Sequence, residues 1–445
     1  MHDTAKSPQQ IEGRLAELAP SNPKALLVGT YDQGKKKEQC EEQLAELQSL
    51  GETYGLVTVE KVTAPIRAIE AATYIGKGKV EEIRQLAAER DAAVVIFDDE
   101  ISPQQQRNLE KAIQRPVVDR TELILAVFAQ RAQTREARIQ IELAASRYQL
   151  PRLTRLWTHL SRQRTGGGGK GGGGFLKGEG EKQIEIDRRI LKRKIDGLQK
   201  ELAEVRKQRQ TQRRFRERTG IPTFAIIGYT NVGKSTLLRA LTDADVLVED
   251  KLFATLDTTT RKYVLPNKQQ ILLIDTVGFI RKLPHLLVAA FKSTLEEAVQ
   301  ADILLHLVDA SSSQAGQQAE TTFEVLKELG AEKKPMIVVL NKMDQCESRW
   351  LVEKMRITYP KTVEISALQQ TGFDRLWELM IHEIASLRKV VKLRIPQSHY
   401  ALVSEVMRQG KILSTEYEEN DILLEAEIPQ HLERKVHLFI VSEGL

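Results

Sequence analysis

A chain of 445 residues is too long for one ordinary hydrophobic core, so about two to four domains are expected. With 41% hydrophobic and 29% charged residues it reads as a globular cytoplasmic protein, and no apolar run is long enough to cross a bilayer. The net charge of +5 is mild, and two distant cysteines, Cys40 and Cys346, match no metal-ligand spacing, so reduced thiols are expected rather than a disulfide framework.

The amino-terminal "MHDTAKSPQQIEGRLAEL" lacks the apolar centre of a secretory signal. In the first segment, 1–131, "KALLVGT", "VVIFDDE" and "PVVDR" read as short buried strands, each followed by helical pattern. Ser102 reads as an N-cap with Pro103 at the first helical position. The alternation predicts a small parallel α/β domain. "IGKGKVEE" lacks the spacing of a phosphate loop and reads as a glycine-rich turn opening a helix, and the acidic Asp98–Glu100 as a helix cap rather than a metal site.

The segment 132–220 is helical and broken by a glycine-rich loop, 165–180, in which eight glycines surround Lys170. Before it, Ile139, Leu143, Ser146, Leu150, Leu153, Trp157 and Leu160 alternate steps of four and three. After it, Leu191, Ile195, Leu198, Leu202 and Val205 do the same. Two such seams predict an antiparallel helical hairpin with the glycines at its tip, an interdomain linker being the second reading. Pro151 is expected to kink the first arm. From Lys182 to Arg218, fourteen Lys/Arg face six Asp/Glu, which reads either as a solvated helix face or as a footprint for phosphate backbone.

The segment 221–388 alternates buried strands and helices as in a doubly wound Ras-like G domain, and 389–445 shows β-α-β-β-α-β, which predicts a small two-layer α+β domain. Within the former, "FAIIGYTNVGKSTLL" follows a strand and opens a helix, the context that a phosphate-binding loop requires. Gly228 and Gly233 let the backbone curl around phosphate oxygens. Lys234 supplies a cation to the β and γ phosphates, and Ser235 a hydroxyl to Mg²⁺. In "ILLIDTVGF", Asp275 can hold the metal, through a water if need be, and Gly278 offers an N–H near the γ-phosphate. In "NKMD", Asn341, Lys342 and Asp344 follow another strand. The Asp344 carboxylate can accept two hydrogen bonds from guanine N1 and N2, which adenine cannot supply. "VEISAL" brings Ser366 and Ala367 to the base. Four motifs in this order predict a GTP-binding P-loop domain.

Between the first two motifs, "LFATLDTTTR" should complete the Mg²⁺ shell with a threonine, and Thr255, Thr258, Thr259 and Thr260 are all candidates on chemistry alone. The stretch should order with GTP and loosen after hydrolysis. Phe279 stands where Ras-like enzymes carry the glutamine that orients the attacking water, so slow unassisted hydrolysis is expected. Asn231 either helps hold a monovalent cation or shapes the loop.

"GYTNVGKST", "LFATLD", "DTVGF", "NKMD" and "SAL" together resemble the HflX family of translational GTPases. So do "ATYIGKGKVEE", "VVIFDDEISPQQQRNLE", "VVDRTELILAVFAQRA" and "GEGEKQIEIDRR", and the likeness runs from Leu26 to Arg388. Departures are Thr258, where the family usually has Pro, and Lys182, where it usually has Thr. The resemblance implies an amino-terminal α/β part and helical hairpin joined to the G domain. It also implies binding to the large ribosomal subunit and its RNA, splitting or rescue of stalled or idle ribosomes, and GTPase activity stimulated by the subunit. By motif, Thr255 becomes the switch ligand of Mg²⁺ beside Ser235, and Lys234, Thr255 and Gly278 become the catalytic set.

The expected GTP contacts are then Gly228, Tyr229, Thr230, Asn231, Val232, Gly233, Lys234 and Ser235 in the phosphate loop. Phe253, Ala254, Thr255, Leu256 and Asp257 follow in the switch, then Asp275, Thr276, Val277 and Gly278. Asn341, Lys342, Met343, Asp344, Ser366, Ala367 and Leu368 complete the set around the base. Arg164, Lys170 and Lys177 are the candidate RNA contacts, and the protein is expected to be a monomer off the ribosome. The competing readings are a regulatory GTP switch that recruits a protein partner, such as a membrane protease complex, and a GTPase assisting tRNA modification. The latter would call for a catalytic cysteine or a flavin-handling region.

Overall fold

The computed structural model describes residues 15, 22–32, 36–153, 176–219, 221–242, 252–253, 256, 258–282, 284, 287, 299–418 and 420–443. The chain forms two compact units. One comprises Met1–Arg206, Leu247–Asp257 and Val277–Thr294; the other comprises Lys207–Val246, Thr258–Thr276 and Leu295–Leu445.

The first unit opens with an α/β layer. Strand β1 (Lys24–Tyr31) leads through helix α1 (Lys37–Tyr54) to β2 (Val57–Pro65), and α2 (Lys77–Glu89) leads to β3 (Val94–Phe97). Helix α3 (Pro103–Ile113) and β4 (Val117–Asp119) follow, then α4 (Arg120–Arg131). The four strands are parallel in the order β2-β1-β3-β4, as the βαβ pattern requires. One face of this sheet closes over Leu26, Val28, Val95, Phe97, Ile83 and Leu109. Ser102 caps α3 in a full capping box with Gln105, and Pro103 follows it. Asp98 and Asp99 do not cap this helix, because the Ser102 side chain and the Gln105 amide take that place; the two carboxylates pair with Lys282, and Asp98 also with Arg120.

Helix α5 (Arg135–Leu153) carries Pro151 inside it, and α6 (Leu176–Thr219) carries the basic run. Ile139 and Leu143 pack with Ile195, Leu198 and Leu202, and Leu150 and Leu191 lie against the same cluster. The pairs Glu142–Lys194 at 2.7 Å and Arg135–Glu201 at 3.3 Å fix the direction, since moving forward on one helix moves backward on the other. These arms are antiparallel, as the heptads predict. Trp157, Leu160, Arg164, Lys170 and the glycines lie outside the described residues.

The second unit contains a six-stranded sheet. Its elements are β5 (Thr223–Gly228), α7 (Lys234–Thr242), β6 (Thr259–Val264), β7 (Gln270–Asp275), β8 (Ile303–Asp309), α8 (Ala315–Glu328), β9 (Met336–Asn341), α9 (Arg349–Thr358), β10 (Thr362–Glu364) and α10 (Phe373–Ser386). The order is β10-β9-β8-β5-β7-β6, parallel except that β6 runs antiparallel to β7. Strands β5, β8 and β9 read as near-continuous apolar runs because both faces are covered.

The same unit ends in β11 (Arg388–Pro396), α11 (Tyr400–Gln409), β12 (Lys411–Glu418), β13 (Asp421–Pro429), α12 (Gln430–Val436) and β14 (Ile440–Glu443). These form an antiparallel sheet in the order β12-β13-β11-β14. Val403, Val406, Leu432 and Val436 from the two helices bury one face of it against Val391, Leu393, Ile395 and Leu424. The predicted β-α-β-β-α-β is therefore present. No described helix is long and apolar enough to cross a membrane, and Cys40 and Cys346 are free thiols.

Candidate nucleotide site

At the carboxyl end of β5 the chain turns through Gly228–Gly233 into α7. Gly228 has φ +149°, and a Cβ there would lie 2.4 Å from the Leu307 carbonyl oxygen. Gly233 has φ +94°, and a Cβ there would lie 2.3 Å from Asn341 Nδ2. Both positions are closed to any side chain, by backbone conformation and by crowding. Asn231, with φ 62°, adopts the left-handed conformation that asparagine tolerates, which fits the loop-shaping reading. Such a loop running into a helix N-terminus turns successive N–H groups toward one point, where phosphate oxygens can be received.

Lys234 is 6% exposed, and its ammonium donates to the carbonyls of Tyr229 at 2.7 Å and Gly228 at 3.3 Å. Burial lowers its pKa to about 8, partly offset by the charge of Asp275. The Ser235 hydroxyl donates to Asp275 Oδ2 at 2.9 Å, so two hard oxygen donors converge beside the loop. Thr276 spends its hydroxyl on the Ile226 carbonyl at 2.7 Å, which ties the end of β7 to β5.

Asn341 braces the site from the other side. Its Nδ2 donates to the Val232 carbonyl at 2.8 Å, and its Oδ1 accepts from the Ala367 N–H at 2.9 Å. One buried amide thus joins the phosphate loop to the Ser366–Leu368 turn. Lys342, in the left-handed region at φ 62°, pairs with Asp309 at 2.7 Å. Asp344 is exposed in the short helical turn Met343–Gln345, and Leu368 is 69% exposed, while Ser366 and Ala367 are buried. Ser366 and Thr371 exchange backbone hydrogen bonds at 3.1 Å and close the turn.

Two residues in this region escape a motif-based reading. Asp309 holds the Lys342 ammonium, and its only signal is its position at the end of the apolar run "ILLHLVD". Gly372, at φ +80°, admits no Cβ because the Glu364 carbonyl would lie 2.2 Å away; the "TG" dipeptide before a helical pattern was the available sign.

Thr230 is buried in the phosphate loop, and the remaining expected contacts fall in the first unit or outside the described residues. Phe253 and Leu256 are 3% exposed, Val277 is 5% exposed and Phe279 1%, and Gly278 is buried with them. Ala254, Thr255 and Asp257 lie outside the described residues, as does the side chain of Lys177. Among the described residues, no cluster of three or more His, Cys, Asp or Glu side chains could hold a metal unaided.

His306, in β8, is fully buried, with its ring edge-on to Phe323 at 5.0 Å and no hydrogen-bond partner for either nitrogen among the described residues. Burial, and then the charge of Lys234, lower its pKa to about 3. The folded value lies below the ordinary 6.5, so the unfolded chain takes up the proton first and stability is lost as pH falls from about 6.5 toward 3. His306→Leu is expected to flatten that loss. On the order of 2 kcal/mol of wild-type stability should disappear between pH 7.5 and pH 5 and persist in the variant, as read by urea unfolding at both pH values.

Three family descriptions match this chain. Residues 41–129 match "GTP-binding GTPase N-terminal", 131–216 "GTP-binding GTPase Middle Region" and 223–342 "50S ribosome-binding GTPase". A protein of Chlamydia pneumoniae named GTPase HflX is 49% identical over 94% of this chain and 88% of its own length. Its namesake in Escherichia coli K12 is 39% identical over 89% of this chain and 91% of its own. Among solved structures, a GTP-binding protein from Sulfolobus solfataricus in complex with GDP is 27% identical, covering 82% of this chain and 99% of that one, with a TM-score of 0.43.

Proposed function

This chain belongs to the GTPase HflX family, and from that premise we propose that it hydrolyses GTP on the large ribosomal subunit, is stimulated by it, and dissociates or rescues stalled or idle ribosomes. It is a GTPase of a 50S ribosome-binding family. The observation that carries the nucleotide part of this reading is the buried Asn341 amide, which ties a glycine-locked phosphate loop to the turn expected at the base; the ribosomal part is supported by the match to a 50S ribosome-binding GTPase family.

In this reading Lys234 leaves the loop carbonyls for the β and γ phosphates, where its charge offsets the negative charge that grows as the γ-phosphoryl transfers. The N–H of Gly278 meets the same group, and Asp344 selects guanine. Ser235 and Thr255 would hold Mg²⁺, and Asp275 could support it, through a water if need be; the Ser235–Asp275 pair fits such a site, since both donors are hard oxygens 2.9 Å apart. When bound, the metal neutralises phosphate charge. The Phe279 ring cannot orient water, and this supports slow hydrolysis by the free protein. Arg164, Lys170, Lys177 and the basic length of α6 supply cations for phosphate backbone, and the glycine tip passes close to nucleotides. Off the ribosome the protein acts as a cytoplasmic monomer.

Co-sedimentation tests the RNA-led part. Binding to purified large subunits in the presence of a non-hydrolysable GTP analogue should fall at least about tenfold between 50 and 200 mM salt. It should fall again when residues 166–174 are deleted. A pellet empty of the intact protein at low salt would point to a protein-only partner and defeat the proposal.

A further inference from the structure

The amino-terminal sheet has the topology in which open α/β folds bind ligands. Its order β2-β1-β3-β4 sends the chain one way from β1 to β2 and the other way from β3 to β4. The reversal falls between β1 and β3, and ligands of such sheets sit beyond the carboxyl ends of the strands at that point. Thr30, near the end of β1, and Asp98 and Asp99, just past β3, stand there. Thr30 Oγ1 donates to Asp99 Oδ2 at 2.6 Å, so the crevice is organised as well as acidic.

Its occupant belongs to the same unit. Lys282 Nζ lies 2.7 Å from Asp98 Oδ2, 2.5 Å from Asp99 Oδ1 and 3.3 Å from the Asp98 carbonyl oxygen. Asp98 is 1% exposed, and its other oxygen accepts from Arg120 at 2.6 Å; Arg120 also pairs with Glu46. Lys282 has φ 51°, an unfavourable conformation for a lysine that its surroundings must impose. Burial pushes the lysine pKa down, but Asp98 and Asp99 outweigh it and leave the ammonium firmly charged.

A second segment is gripped by the same domain. The Leu252 N–H donates to Thr53 Oγ1 at 3.2 Å, and the Phe253 ring, at φ 56°, meets Phe128 edge-on at 4.5 Å. Residues 252–253 and 277–282 precede β6 and follow β7, in the stretches that the nucleotide motifs assign to the γ-phosphate.

We infer that the acidic crevice of the amino-terminal sheet is built to hold the Lys282 ammonium, and that Lys282 is thereby a positioning residue that presets the Gly278 turn for the terminal phosphate of GTP. The inference rests on the reading that Gly278 meets that phosphate. A turn already fixed binds its ligand without the entropic cost of ordering, and a loosened turn loses that advantage for GTP alone, because GDP has no third phosphate.

The test uses the full chain and two variants. Lys282→Met keeps the apolar stem and removes the charge, and Asp99→Asn removes one acceptor while leaving the Asp98–Arg120 pair intact. Each should weaken binding of GTPγS about tenfold, in line with the loss of charge-assisted hydrogen bonds, with GDP affinity changed less than about twofold. Amide exchange should quicken across 277–282 and stay unchanged across 228–235. In the wild type, exchange at 277–282 should be slower with GTPγS than with GDP; equal rates would remove the reading on which the inference rests. If that difference is present and both variants keep the wild-type affinity ratio and protection, or lose GDP binding equally, the positioning role is overturned.

Discussion

Lys234→Ala is expected to lower single-turnover GTP hydrolysis by about 10²–10³-fold while the protein stays folded. The ammonium is buried, and among the described residues its hydrogen bonds go to the carbonyls of Gly228 and Tyr229, in the loop that would cradle the phosphates. Those neutral acceptors hold it weakly compared with a phosphate oxygen, so the charge is poised rather than spent. Burial lowers its pKa to about 8, and a neighbouring phosphate charge would raise it again. Rapid-quench measurement of the first turnover isolates this step. A variant within about threefold of wild type would mean that the cation is not aimed at the reacting group.

Gly233→Ala should be nearly as severe for a different reason. The new methyl would stand 2.3 Å from Asn341 Nδ2, on a backbone at φ +94°. Either the loop flattens or the amide retreats. If Asn341 retreats, the Val232 and Ala367 contacts are lost together, because one side chain makes both. Phosphate loop and base turn then come apart, and affinity for GDP should fall at least about 100-fold, the worth of two buried hydrogen bonds left unmade. Calorimetric titration with GDP measures it, and unchanged circular dichroism shows that the sheet survives. Retained affinity would show that the brace is dispensable.

Much of the architecture was legible because it follows from short periodic patterns. The seam residues Ile139, Leu143, Ile195, Leu198 and Leu202 announce their packing by spacing alone, and the carboxy-terminal β-α-β-β-α-β reads directly from alternation and turns. Strand β2 was missed for a physical reason. "VTVEKVTAP" sits at a sheet edge, where Glu60 and Lys61 interrupt the apolar alternation and only Val62 and Ala64 are buried.

The nucleotide motifs could be read because phosphate and guanine impose fixed chemistry on a few neighbouring residues. What could not be read is what those residues do for one another. Asn341 looks like a base contact in sequence and acts in the fold as a brace. Lys282 lies 183 and 184 residues from the carboxylates that hold it, a separation no local pattern encodes. In sequence the "FDDE" run reads as a helix cap, because acidic residues before a helix usually serve the helix. Ser102 had already filled that role, which left Asp98 and Asp99 for cations.

This GTPase is proposed to answer to the large ribosomal subunit. The steady-state rate of GTP hydrolysis by the intact protein, with and without purified large subunits and at matched Mg²⁺, tests it most directly. The rate alone should be slow, because Phe279 offers no hydrogen bond to water, and saturating subunits should raise it about tenfold or more. Identical rates in both reactions would contradict the account.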